Sequence, residues 1–404
     1  MNSINRTLST PLHVASENNR VEMISLLVSQ GAGLEQQDRH SKTPLLVAAH
    51  RGQAEAVERL LTLGARADVL DKEDRSAMYW AADQNNMRSL SLLLANKGAA
   101  LLLSTNDRWD NTPLHTASAK GHLEAVVALI EAGAQIDNKN EDEQTPLHVA
   151  AKNGKTRYVV RRNVDLDDEM FIFLRILTEI LGRDHYSVND EDSESQTALH
   201  LAAAAGHVRS LSLLLAGGAD LEARNIYLWT ALSCAAAHGW TKCVSLLIEC
   251  GACLTTEDRN RNTPLHLAAK YGHHAVVQII IEAGGSLASL NLSGQNCLSE
   301  AISRGNREVI SVILHTENWR EAFRFQRLTA VGVMETPIKQ LIKRFPDLAR
   351  IAFDKCISTN LHSRKFKTQN TKTVAADSSM LEVKEIYINL ISFTSSFLSD
   401  KHGL

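Results

Sequence analysis

The sequence predicts an all-α solenoid, a row of stacked helix–loop–helix units rather than a globule around one centre. Three observations predict it. A Thr-Pro-Leu-His-x-Ala opening, clearest at Asn111–Ala117, returns along the chain with Thr10, Thr43, Ser76, Thr112, Thr145, Thr197, Thr230 and Thr263 in the Thr position. Successive gaps are 33, 33, 36, 33, 52, 33 and 33 residues, and one further step of 33 reaches the degenerate Asn296-Cys-Leu-Ser-Glu-Ala301. In the clearest unit a glycine follows nine residues after the Thr, and then a second apolar run that ends at another glycine.

Each residue of the unit has a physical reason to be there. Thr112 stands at a helix N-cap, where its hydroxyl can accept from an orphan backbone N–H. Pro113 takes the first helical position, where its missing donor costs nothing. Leu114 and Ala117 share one face at i, i+3, and Gly121 permits the left-handed residue that ends the helix. Val126, Val127, Leu129 and Ile130 are expected to bury the second helix, with Gly133 as its stop. One unit cannot cover its own apolar face, so neighbours must stack on it.

Motif and period together resemble the ankyrin repeat, with its period of about 33 residues. The openings Thr10-Pro11, Thr43-Pro44, Thr112-Pro113, Thr145-Pro146 and Thr263-Pro264, with Thr197, carry the likeness. His13, His115, His148, His200 and His266 are, by that resemblance, structural groups that hydrogen-bond between adjacent loops rather than metal ligands. Protein partners are then expected along a concave groove and at the hairpin loops. The fold class is an all-α ankyrin-repeat solenoid followed by a short helical segment.

Composition narrows the function. Formal net charge is −3, which gives no bias toward nucleic acid or an anionic membrane. No run approaches the 18 or more apolar residues of a membrane span. Six cysteines, Cys234, Cys243, Cys250, Cys253, Cys297 and Cys356, lack a second pair at zinc-finger spacing and read as structural thiols. There is no nucleophile–base pair and no His-Glu-x-x-His. Gly154-Lys-Thr156 resembles the end of a phosphate loop, but Val149 stands where its first glycine belongs. The expectation is a protein that is not an enzyme and takes no cofactor and no metal.

Along the chain, no polar capping unit precedes the first repeat, whose interior residues are Ile24, Leu26 and Leu27; this predicts an array that continues upstream. The third unit replaces the motif with bulkier Ser76-Ala-Met-Tyr-Trp-Ala81, and three extra residues near Ala99–Leu103 are expected to lengthen its hairpin. The fifth spans 52 residues, 19 more than the period. That excess, about 155–173, is either a looped-out functional insertion or a gene-model artefact. In the seventh unit Trp229 and Trp240 are expected to stack on neighbouring hairpins. Nine repeats over 1–317, a helical segment over 318–356 and a basic, poorly ordered tail over 357–404 complete the expected organisation. From Asn318 onward there are 14 Lys and Arg against 8 Asp and Glu; Arg364–Lys367 is a short basic stretch, and the apolar Ile386–Leu398 is too short to span a bilayer.

After the last repeat come Trp319 and Glu321, then Pro337-Ile338 with Leu341-Ile342, then Pro346, Asp354 and Cys356. With Arg307-Glu-Val309 before them, these landmarks resemble the end of the cytoplasmic array in transient receptor potential cation channels of the ankyrin type. The resemblance implies the cytosolic portion of a homotetrameric, calcium-permeable channel subunit on the cytoplasmic side of the plasma membrane, without its pore. The alternative is a soluble, cytoplasmic ankyrin-repeat adaptor that mediates protein–protein interaction.

Overall fold

The computed structural model describes residues 7–154, 176–182, 186–323, 327–328 and 334–355. Every opening identified in the sequence begins a helix. The first helices are Pro11–Glu17, Pro44–His50, Ala77–Asp83, Pro113–Lys120, Pro146–Asn153, Ala198–Ala205, Ala231–His238, Pro264–Tyr271 and Cys297–Arg304. Each is followed by an antiparallel partner: Val21–Ser29, Ala54–Thr62, Met87–Leu94, Leu123–Glu131, residues 176–182, Val208–Ala216, Thr241–Glu249, His274–Glu282 and Arg307–His315. The fold is an all-α ankyrin solenoid with two layers, one of first helices and one of second helices.

The layers pack unequally, and small residues are the cause. Ala48-Ala49, Ala81-Ala82, Ala150-Ala151, Ala202-Ala203, Ala235-Ala236 and Ala268-Ala269 are completely buried pairs on the first helices. They let neighbouring first helices approach closely, while Leu60, Leu93, Leu129, Leu214, Leu247 and Ile280 fill the wider space beneath the second helices. Closer spacing on one side bends the row, so the first helices line its inner, concave face.

The hairpins between repeats are stitched by backbone. Lys72 N donates to His40 O, Arg108 N to Glu73 O, Arg259 N to Tyr227 O and Leu292 N to Asn260 O. Within each tip an Asx side chain accepts two N–H groups; Asp107 Oδ1 takes those of Trp109 and Asn111 at 3.0 and 2.8 Å. The fifth repeat keeps this stitch despite its length: Ser193 N donates to Asp142 O. The surplus residues 155–173 lie outside the described residues, as do Cys356, the tail 357–404 and the stretches within it singled out above.

Several expectations need correction. Val127 is only half-buried, and Ala125 takes its place against the neighbouring repeat. Leu26 is 54% exposed, while Ile24 and Leu27 are buried as expected. Ala99–Leu103 is a short helix with Leu102 and Leu103 tucked in, not a longer hairpin. The segment after the repeats is not wholly helical: Arg327 and Leu328 pair antiparallel with Glu335 and Met334. Around this pairing, the 3₁₀ turn Trp319–Phe323, helix Pro337–Arg344 and a helix over 346–355 cover the end of the array. Trp319, Ala322, Leu341, Leu348 and Ala352 are buried there. Asn296 Nδ2 donates to Ala322 O at 2.7 Å, and Arg344 Nη1 donates to Ile302 O at 2.9 Å. Glu321 sits in the turn, its N–H bonded to Asn318 O at 2.9 Å, and Pro346 opens the last described helix.

Candidate interaction surface

The Thr and His of the opening close a small ring of hydrogen bonds. Thr112 Oγ1 accepts from His115 N at 3.3 Å, while His115 Nδ1 lies 3.2 Å from Thr112 N and 2.8 Å from Thr112 Oγ1. The far nitrogen, Nε2, faces Gln144 O at 2.9 Å in the next hairpin. A carbonyl only accepts, so Nε2 carries the proton and Nδ1 is the acceptor. The same ring with the same forward bond joins Thr10–His13 to Lys42 O, Thr145–His148 to Gln196 O, Thr197–His200 to Trp229 O and Thr263–His266 to Gln295 O. Burial pushes the pKa values of His115, His148, His200 and His266 down, which keeps the rings neutral. Thr43 caps without a histidine, Leu46 N donating to it at 3.3 Å, so that junction lacks the forward bond. Pro11, Pro44, Pro113, Pro146 and Pro264 all occupy the first turn of their helices.

A second ladder, running backward, is not announced by the motif. In seven repeats the residue opening the second helix reaches to a carbonyl near the end of the preceding repeat's first helix. Gln53 Nε2 donates to Glu17 O at 3.1 Å, Asn86 to Gly52 O at 2.5 Å, His122 to Ala82 O at 2.8 Å and His207 to Lys152 O at 3.3 Å. Trp240 donates to Ala204 O at 2.7 Å, His273 to Ala237 O at 2.9 Å and Asn306 to Ala269 O at 2.7 Å. Six of these carbonyls lie in the last turn of a helix, where C=O groups lack an i+4 partner, and Gly52 O lies just past one. Trp240 therefore serves this ladder and does not stack on a hairpin. Trp229 is in a hairpin, its Nε1 donating to Asp258 Oδ2 of the next one at 3.3 Å.

Trp109, Tyr227, Leu228 and Leu292 are exposed on tips, and Tyr271 is 49% exposed on the inner layer. Among the described residues the cysteines form no metal-holding group. Cys234 and Cys297 are buried, burial raising both thiols to about 12, while Cys250 and Cys253 are exposed. Among the described residues no group of His, Cys, Asp and Glu is placed to hold a metal, and no helix is long and apolar enough to cross a membrane.

A family model described as ankyrin repeats, three copies to the model, matches residues 1–71, 45–140, 78–169, 134–225, 170–258 and 253–321. Among solved structures, the chain is similar to an ankyrin repeat domain from Acinetobacter baumannii, at 26% identity over 52% of this chain and 98% of that one, with a TM-score of 0.44. No curated protein matches the chain.

Proposed function

Because the chain belongs to the ankyrin-repeat family, we propose that it is an interaction protein that binds a protein partner along the first-helix face and the hairpin tips. The observation that carries this is the pair of large apolar groups exposed on tips with one hairpin between them. Tyr227, at 48%, and Leu292, at 65%, project from hairpins joined through the backbone of Arg259 and Asn260. Neither side chain is needed by either ladder. Large rigid side chains held on a stitched frame lose little entropy when they bind. A photocrosslinking residue placed at Tyr227, Tyr271 or Leu292 is expected to capture a protein in cells. The same residue on the outer layer, at Ser212 or Gln278, is expected to capture none; equal capture from both layers refutes the assignment.

A second reading is favoured by the segment packed on the last repeat. The helices begun by Pro337 and Pro346, and Trp319 beneath them, have the order of the landmarks in ankyrin-type transient receptor potential channels. On this reading the chain is the cytosolic part of a calcium-permeable, homotetrameric channel subunit, and its partners include the other subunits. Peptides of this chain mapped in native membranes onto one longer polypeptide support it. A 44.5 kDa product with no longer form contradicts it.

A further inference from the structure

One end of the inner face carries a cluster that neither ladder uses. Lys42, His50 and Arg75 converge on the buried indole of Trp80. Lys42 Nζ lies 4.1 Å and Arg75 Cζ 4.3 Å from the ring, and the His50 ring centroid is 4.1 Å away. Beside them is a cavity of about 320 Å³, walled by the first helices of the first two repeats and the two hairpins that follow them, with Lys42, Arg51, Lys72 and Arg75 and the acidic Glu17, Asp38 and Glu73 among its lining.

The charges in this wall do not balance. Arg51 holds Glu17 at 2.5 Å and Arg75 holds Asp71 at 3.2 Å. Glu73 is taken by Arg108 at 3.5 Å, and Asp38 accepts the backbone N–H groups of His40 and Lys42. Lys42 is half-buried, yet among the described residues no carboxylate lies within 4.0 Å of its ammonium. It donates instead to the His50 ring, 3.1 Å away. Burial, then Lys42 and Arg51, push His50 down to about 4, so that ring is neutral and brings no compensating charge. Burial lowers the pKa of Lys42 although Asp71 and Asp38 attract its ammonium from beyond 4.0 Å; a cation so incompletely compensated costs free energy, and such groups concentrate where a ligand supplies further charge. Exposed Lys72 adds a second ammonium on the rim, without an ion pair among the described residues.

We propose that the Lys42–Trp80 cluster is an anion site that receives carboxylate side chains from an acidic stretch of a partner protein. Both guanidiniums already hold carboxylates, so the site offers two separated ammonium groups and no free planar fork. That arrangement suits single carboxylates spaced along a chain better than one phosphate dianion, which takes several converging donors. The inference rests on the reading of the inner face as a protein-binding surface.

The test is a selection of displayed random peptides on the full chain, read against Lys42→Met and Lys72→Gln, with Lys242→Met on the outer layer as a distant control. The expected result is enrichment of peptides carrying Asp or Glu whose affinity falls about tenfold or more with Lys42→Met, by less with Lys72→Gln, and not at all with Lys242→Met. Lys72 is exposed, so its variant keeps the test open if Lys42→Met does not fold: acidic peptides must weaken there too. Enriched peptides that ignore both substitutions overturn the anion site and leave the groove reading standing. Failure to enrich any peptide overturns both. Displacement of the acidic peptides by inorganic phosphate but not by equimolar glutamate assigns the site to phosphate and overturns the carboxylate proposal.

Discussion

The indole of Trp240 lies directly against the backbone of Gly206, one repeat earlier. A β-carbon on Gly206 would come within 2.6 Å of the ring, and the indole N–H donates to Ala204 O at 2.7 Å. The backward ladder thus sets two demands on this glycine: a left-handed φ of +82° and an empty side.

Gly206→Ala is accordingly expected to cost more than strain alone, about 2–4 kcal/mol from the backbone and the displaced indole together. Gly305 has a similar φ of +87° but nothing within 4 Å. Gly305→Ala is expected to cost only the left-handed term, about 1–2 kcal/mol. Urea unfolding of the two variants separates the contributions.

Leu129 is fully buried between the layers of the fourth repeat. Leu129→Ala is expected to destabilise by about 2–5 kcal/mol, the usual large-to-small core cost. A change below about 0.5 kcal/mol, the range of surface substitutions, would show that the helix register is different.

Every hairpin tip contains one left-handed residue. Glu143 holds that place with φ 57°, where the last hairpin uses Gly294 with φ 65°. Glu143→Gly removes a side chain from an unfavourable conformation at the cost of a more flexible unfolded chain. The net expectation is a gain of about 0.5–1 kcal/mol in urea unfolding.

The buried histidines give the array a pH dependence. His115, His148, His200 and His266 have folded pKa values below that of the unfolded chain, because burial disfavours the imidazolium. At pH 7 and above both states are neutral there, so these groups leave stability unchanged. As pH falls through about 6.5 the unfolded chain takes up protons that the folded array refuses, and stability drops. Denaturant midpoints are expected to be level from pH 7 to 8 and to fall between pH 6.5 and 5. A His266→Gln variant is expected to lose part of that slope.

The Thr–Pro–Leu–His unit was legible in the sequence because its hydrogen bonds are local: Thr112 and His115 are three residues apart, and only particular side chains close that ring. The backward ladder was not legible in the same way. Gln53, Asn86, His122, His207, Trp240, His273 and Asn306 share a side-chain N–H and a place in the period, but no residue type. A search for donors immediately after the turn that ends each first helix finds them. The pairing of Arg327–Leu328 with Met334–Glu335 escapes any reading of alternation, since two residues cannot show a period. The cluster on Trp80 was hidden because Lys42, His50 and Arg75 come from different hairpins and helices, and only stacking brings them to one ring.

The most direct test of the interaction surface is calorimetric titration of the partner captured by crosslinking against the chain carrying Tyr227→Ser and Leu292→Ser together. Affinity is expected to fall about tenfold or more with the melting temperature unchanged, as for exposed side chains that anchor a partner. Undiminished affinity in a fully folded double variant would contradict the account.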